Sequence, residues 1–330
     1  MSEHEALVKV IYQIAIMCVL CLTAFAAGRT KYLPENTGHI LSRVVIKLTA
    51  PILIITTMAN YNFTKSMVKD MTFIYISGVV FILYAFSISI LVSRVLKLEG
   101  SRANVYKMLS MFGNVMYLAY PLMMSLYGDK GIIYAVFYNL ANDSVLWTLG
   151  IFLVNRHQKS SKGIAGNLKQ LINGNTISFL IGITCVITNF KGIIEGSNQY
   201  VKNTYVFIMD TFQPLGKTTS VLSMIFIGLI LSQVRFNSMK DILKRYPLLI
   251  MCFFKLIFVP VTALVVLNML GGMVDHFVKS IIVLQLGMPC GTIIAALTSQ
   301  YDSDFNFATE GVFFSTIIGA ATLPLMVHLI

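Results

Sequence analysis

Ten stretches of roughly 20 mainly apolar residues recur along the chain, at about 7–28, 38–59, 70–93, 104–127, 132–154, 173–190, 214–232, 246–269, 276–300 and 306–329. A helix of about 20 residues reaches across the ~30 Å hydrocarbon core of a bilayer. Inside lipid every backbone N–H and C=O must be paired internally, so segments of this kind cross as helices. The composition agrees: 330 residues, 56% hydrophobic and only 12% charged, with mean hydropathy +0.77. A soluble domain of this size has no use for so much apolar surface. The expected fold class is therefore an all-α polytopic membrane protein, with nearly all of its chain in the lipid bilayer. The sixth stretch is the shortest. Residues 199–212 read as an interfacial helix leading into the seventh.

The net charge of +11 suggests a nucleic-acid partner until the basic residues are placed. They concentrate in alternate loops, which is the positive-inside pattern and excludes nucleic acid as the reason for the charge. The odd-numbered loops hold 15 Lys and Arg, against 7 in the even loops and the N-terminal region. The bias puts the odd loops in the cytoplasm and both termini on the extracytoplasmic side of the plasma or inner membrane. Glu3 and Glu5 stand where a cleavable signal peptide would be basic, so none is expected.

Two of the apolar stretches contain residues that an uninterrupted helix disfavours. The fourth holds Gly113-Asn114 and then Pro121; the ninth holds Gly287-Met288-Pro289-Cys290-Gly291. Glycine costs a helix about 1 kcal/mol against alanine, and asparagine competes for backbone hydrogen bonds. A broken helix at membrane depth is tolerated where protein or a water-filled cavity satisfies the freed groups. The basic linker 155–172 separates a first five-helix unit, 1–154, from a second, 173–330. Five is odd, so a repeated unit is inverted in the membrane. Sliding one half on the other by 174 residues superposes Gly113 on Gly287, Ser125 on Ser299 and Tyr127 on Tyr301. Interrupted helices at corresponding places in two halves mark the binding site of a secondary transporter.

The candidate substrate-binding residues follow from those breaks. Gly113 and Pro289 permit unwinding, Asn114 offers an amide, and Met288, Cys290, Gly291 and Gln285 surround the second break. Half-helix N-termini present unpaired N–H groups at the positive end of a dipole, which suits a carboxylate. Asn139, Asn142 and Asp143 fall at i, i+3 and i+4 in the fifth stretch and share one helical face. A carboxylate at that depth is expensive and usually faces the bundle interior, so the three are candidates for handling H⁺ or Na⁺ as a coupling ion, with Glu310 as a fourth. Lys47, Lys217 and Lys255 read as side chains that snorkel to the interface or, alternatively, as charges that attract or counterbalance an anion. Cys18 and Cys21 form a CxxC inside an apolar helix, without a second pair, and read as packing residues, as do Cys185, Cys252 and Cys290. The five histidines have no metal-ligand spacing. No cofactor is called for.

At these residues the chain resembles the auxin efflux carrier family, which includes bacterial malate and malonate permeases and the plant PIN-type carriers. The matching blocks are Leu41–Ile54, Gly113–Leu122 with Tyr127-Gly128 after it, Asn142–Gly150 and Met288–Thr292; the fourth-stretch block is the most specific. The resemblance implies ten transmembrane helices in two inverted five-helix repeats, with helices 4 and 9 broken and crossing at mid-membrane, similar to bile-acid symporters and some sodium/proton antiporters. It also implies a homodimer. Two positions depart from the plant pattern: Gly113-Asn114 stands where plant relatives have Pro-Asn, and Cys290 where they have a polar residue. The short central loop is like that of bacterial members.

The expected activity is secondary active transport of a small organic anion by alternating access. The substrate is a carboxylate such as malate, malonate or an auxin-like acid. The alternatives are a cation/proton antiporter of related fold and a transporter-like ligand sensor. The first would want acids at the breaks, where this chain has Asn114 and Cys290; the second usually carries a signalling domain. An enzyme is not expected, because the chain has neither HExxH nor GxSxG, and it has no GxxxxGK[ST] for nucleotide-driven transport.

Overall fold

The computed structural model describes residues 3–61, 64–155, 174–233 and 245–330. Among the described residues all regular structure is helical, and five helices are long and apolar enough to cross a membrane: 40–59, 66–95, 199–233, 246–269 and 305–329. The linker 155–172 lies outside the described residues except for Asn155. So do Lys240 and Lys244, together with Arg156, of the basic loops.

The first helix, α1 (Glu3–Arg29), is followed by α2 (Thr37–Val44), a π-helical turn (Val45–Thr49) and α3 (Ala50–Ala59), which form one apolar rod. The π-turn ends where Pro51 enters α3 at its first turn, a position in which the missing N–H costs little. The next helix, α4 (Lys65–Val95), starts at Thr64, whose side chain accepts the Met67 N–H. It is followed by α5 (Gly100–Met111) and α6 (Ala119–Val145), which continues through a π-turn (Leu146–Gly150) into α7 (Ile151–Asn155). The two arms of α6 meet at Gly128, at φ 61° and ψ −150°. That region is essentially closed to residues with a Cβ, so a glycine makes the reversal.

In the second half, α8 (Gly174–Ile187) and the short α9 (Phe190–Glu195) precede α10 (Gln199–Gln233). The expected interfacial helix at 199–212 is instead the first part of α10, which passes through Pro214 without ending. At 1.5 Å per residue this helix is about 52 Å long, so it overshoots a ~30 Å hydrocarbon core. Then come α11 (Tyr246–Phe253), a π-turn (Phe254–Phe258), α12 (Val259–Met269), α13 (His276–Leu286), α14 (Thr292–Gln300) and α15 (Phe305–Leu329). Asp275 and Asp304 cap α13 and α15 by accepting the Phe277 and Phe307 N–H groups.

The helices pack as two groups. One contains α1, α2, α3, α8 and α10; the other contains α4, α5, α6 and α11 to α15. Small residues bring the first group together: a Cβ on Gly216 of α10 would lie 2.9 Å from the Leu53 Cα of α3. The large core of Leu, Ile, Met and buried tyrosines belongs mainly to the second group. A smaller apolar cluster joins Met17, Val45, Ala50, Met224 and Ile227 of the first group to Tyr117, which follows the first break.

Candidate functional site

The two interrupted segments meet. Helix α5 stops at Met111, Phe112 turns extended, and α6 resumes at Ala119; α13 stops at Leu286 and α14 resumes at Thr292. Between them Gly113 and Cys290 form an isolated antiparallel bridge. The Asn114 N–H donates to the Pro289 carbonyl at 2.7 Å, and the Gly291 N–H donates to the Phe112 carbonyl at 3.0 Å. Exchanging Gly113 with Cys290 exchanges these two bonds, so the bridge has a local two-fold relation. The interval from 113 to 290 is 177 residues, three more than the sliding match that paired Gly113 with Gly287. The identity match followed the glycines, whereas in the fold the bridge residue after Pro289 is a cysteine.

The bridge satisfies backbone groups that the interrupted helices leave over. Side chains satisfy others. The Asn114 Oδ1 accepts the Tyr117 N–H at 3.2 Å and caps the turn that starts α6. Its oxygen thus performs a capping role, leaving the Nδ2 group for any ligand. Ser315 Oγ of α15 accepts the Cys290 N–H at 3.0 Å, and the Cys290 Sγ donates to the Leu109 carbonyl at 3.2 Å. Gly291, the residue at the head of α14, has no side chain with which to cap that helix. Gly113 is crowded: a Cβ there would lie 3.3 Å from the Met288 Cβ and 3.4 Å from the Gln285 carbonyl oxygen. The fold thus brings Gly113, Asn114, Gln285, Met288, Pro289, Cys290 and Gly291 together, all of them buried. The Gln285 side-chain amide is enclosed without a protein partner for either its nitrogen or its oxygen.

Lys255 belongs to this site and does not snorkel. It lies in the π-turn between α11 and α12, is 3% exposed, and donates from Nζ to the Met111 carbonyl at 3.1 Å. Its Nζ is 3.5 Å from where a Cβ on Gly113 would be. Its depth in the sequence was the available signal. Nine residues separate it from Tyr246, about 14 Å of helix, which is too far for a lysine stem to reach back to the interface. Lys47 and Lys217 are exposed.

The polar residues of the fifth stretch form a second cluster. Asn139 and Asn142 are buried, and the Asn142 amide lies within hydrogen-bonding reach of the Asp143 carboxyl. The Tyr120 hydroxyl, six residues after Asn114, lies beside Asn139 and within electrostatic reach of Asp143. Glu310 stands apart from them. It forms a two-pronged ion pair with Arg245, at 2.6 and 2.7 Å, near the start of α15. Gly319 of the same helix packs on Pro289, so Glu310 lies about 14 Å along the helix from the level of the bridge.

On the facing helix group, Tyr117 donates to or accepts from Ser42 of α2 at 3.1 Å and packs on Phe226 of α10, ring centroids 4.8 Å apart. In the same helix group, Thr49 of the π-turn and Thr219 and Ser223 of α10 are buried hydroxyls without a protein partner. Buried Ser and Thr in this chain commonly bond back to their own helix, as Thr56 and Ser77 do. These three do not, and sequence reading had given no reason to single them out.

Comparison with known proteins gives the family. The profile of the family described as membrane transport protein matches residues 9–327. An uncharacterized transporter of Methanocaldococcus jannaschii is 23% identical over 318 residues, covering 94% of this chain and 96% of the relative. An uncharacterized transporter of Methanothermobacter thermautotrophicus is 25% identical over 309 residues, covering 93% and 94%. A match across nearly the full length, bridge included, assigns this chain to the membrane transport protein family, that of the auxin efflux carriers.

Proposed function

We propose that this protein is a secondary active transporter of a small organic anion, a carboxylate, working by alternating access. The observation that carries the reading is the bridge between Gly113 and Cys290, where two broken helices exchange hydrogen bonds at the centre of the second helix group. Uncapped N–H groups at the head of α14, the Asn114 Nδ2 and the Gln285 amide supply neutral donors for a carboxylate. The hydroxyls of Thr49, Thr219 and Ser223 supply donors from the facing group. Substrate then sits between the two groups at the level of Tyr117, and the group containing the bridge moves against the other.

The ten apolar stretches are the ten spans, in two inverted repeats of five, with both termini extracytoplasmic in the cell membrane. The working unit is a homodimer. Asn139, Asn142 and Asp143 handle the coupling ion, H⁺ or Na⁺. Glu310, held by Arg245, positions α15 instead of binding the ion directly.

The test is reconstitution of the purified protein in liposomes, with radiolabelled mono- and dicarboxylates offered under imposed pH and Na⁺ gradients. Gradient-dependent flux of at least one organic anion is expected. A folded protein that moves none of them sinks the proposal.

A further inference from the structure

A buried lysine normally has a carboxylate near it. Among the described residues no acidic side chain is paired with Lys255. The titratable groups shown beside it are a thiol and a phenol. The Cys290 thiol of the second break is within electrostatic reach of it, and Tyr106 of α5 lines the same small cavity. That cavity, of about 10 Å³ with room for a single water, is lined by Ser89, Tyr106, Ser110 and Lys255 among others. The Tyr106 hydroxyl is buried without a protein partner.

What the ammonium does have is the C-terminal end of a half-helix. The last carbonyls of α5 have no partner within the helix, and the dipole there is negative. Cys290 Sγ takes the Leu109 carbonyl and Lys255 Nζ takes the Met111 carbonyl. In transporters with broken helices, such half-helix C-termini and unwound carbonyls are where a coupling cation is coordinated. Here a covalently attached cation already occupies that place.

We propose that Lys255 is a tethered cation, filling the cation-binding place at the end of α5, so that no metal ion binds at this side of the bridge. The only cation this place exchanges with solvent is the proton on Nζ. The inference bears on coupling only if the bridge is the transport centre; the filled cation place itself is independent of transport and is tested without it.

The experiment measures thermal unfolding of the purified full-length protein in detergent, at constant ionic strength, with choline replaced stepwise by Na⁺ or by n-butylammonium. The wild type is expected to be indifferent to butylammonium, and Asp143→Asn, which removes the proposed coupling carboxylate, to be indifferent to Na⁺ as well. Lys255→Ala, which empties the place, is expected to gain a midpoint rise of about 5 °C at saturating Na⁺ or butylammonium. Lys255→Gln retains a donor for the Met111 carbonyl and most of the stem volume, and is expected to respond less to butylammonium than Lys255→Ala. Variants that respond to neither cation beyond the wild type overturn the proposal. So does selective stabilisation of Asp143→Asn by Na⁺ with Lys255 intact, a readout that does not depend on either Lys255 variant folding. Loss of anion flux with these results intact would instead overturn the transport reading alone.

Discussion

Gly113 and Cys290 face one another across the bridge, and neither position tolerates an arbitrary side chain. The hydrogen bonds on either side of them, Asn114 N–H to Pro289 and Gly291 N–H to Phe112, hold the breaks in register. An ideal Cβ on Gly113 meets the Met288 Cβ at 3.3 Å, the Gln285 carbonyl at 3.4 Å and Lys255 Nζ at 3.5 Å. Such distances admit one methyl group with small shifts. They do not admit a branched side chain.

Gly113→Ala is therefore expected to fold with a loss of less than about 1 kcal/mol, whereas Gly113→Val overpacks the site and costs about 1–3 kcal/mol. Thermal unfolding in detergent orders the two variants. Equal midpoints for alanine and valine would mean that the break relaxes freely and is not held by its surroundings.

The Asn114 side chain has two ends with different duties. Its oxygen caps the Tyr117 N–H at 3.2 Å, and its nitrogen is the end proposed to meet substrate. Asn114→Ala loses both, with a capping cost of about 1 kcal/mol. Asn114→Asp retains the cap but places a carboxylate where an anion is to bind. Its midpoint is expected near wild type while the KM for a carboxylate rises by an order of magnitude or more. Unchanged KM in Asn114→Asp would remove this side chain from the substrate site.

The all-helical, membrane-type character is legible because lipid imposes it, and the two interruptions follow from glycine and proline chemistry. The helical character needed no tertiary information, nor did the grouping of Asn114 with Met288 to Gly291. Three things were not legible, each for a physical reason. Lys255 was read by its type as an interfacial residue, and only its depth argued otherwise. Matching glycines suggest a register of Gly113 on Gly287, but the bridge pairs Gly113 with Cys290, because a bridge constrains the backbone more than the side-chain type. Thr49, Thr219 and Ser223 carry no signal alone, since a hydroxyl in an apolar helix is satisfied by its own backbone unless packing turns it away.

Glu310 also changed its meaning in three dimensions. In sequence it is one more acid in an apolar stretch; in the fold it clasps Arg245 at 2.6 and 2.7 Å and ties α11 to α15. Two-pronged, partly buried pairs of this kind are stronger than exposed ones. Glu310→Gln is expected to lower stability by about 1–2 kcal/mol, with Arg245→Gln similar and the double variant less than additive. A double-variant cycle on thermal or denaturant unfolding measures this directly. Strict additivity would mean the pair contributes nothing to holding the two helices.

Asp143 is the acid proposed for coupling. It shares a helical face with Asn139 and Asn142, its carboxyl is within reach of the Asn142 amide, and Tyr120 connects its surroundings to the chain just after the first break. Removing its charge while keeping its shape separates coupling from binding. Asp143→Asn is expected to bind the carboxylate with near wild-type affinity and to exchange it across the membrane. It is expected to lose the acceleration that an imposed pH or Na⁺ gradient gives the wild type. Counterflow and gradient-driven uptake, measured in the same liposomes, report the two properties separately. If both fall together, Asp143 belongs to the substrate site or to the packing of the fifth stretch. If neither falls, the coupling ion is carried elsewhere, and the proton on Lys255 becomes the remaining candidate at the bridge.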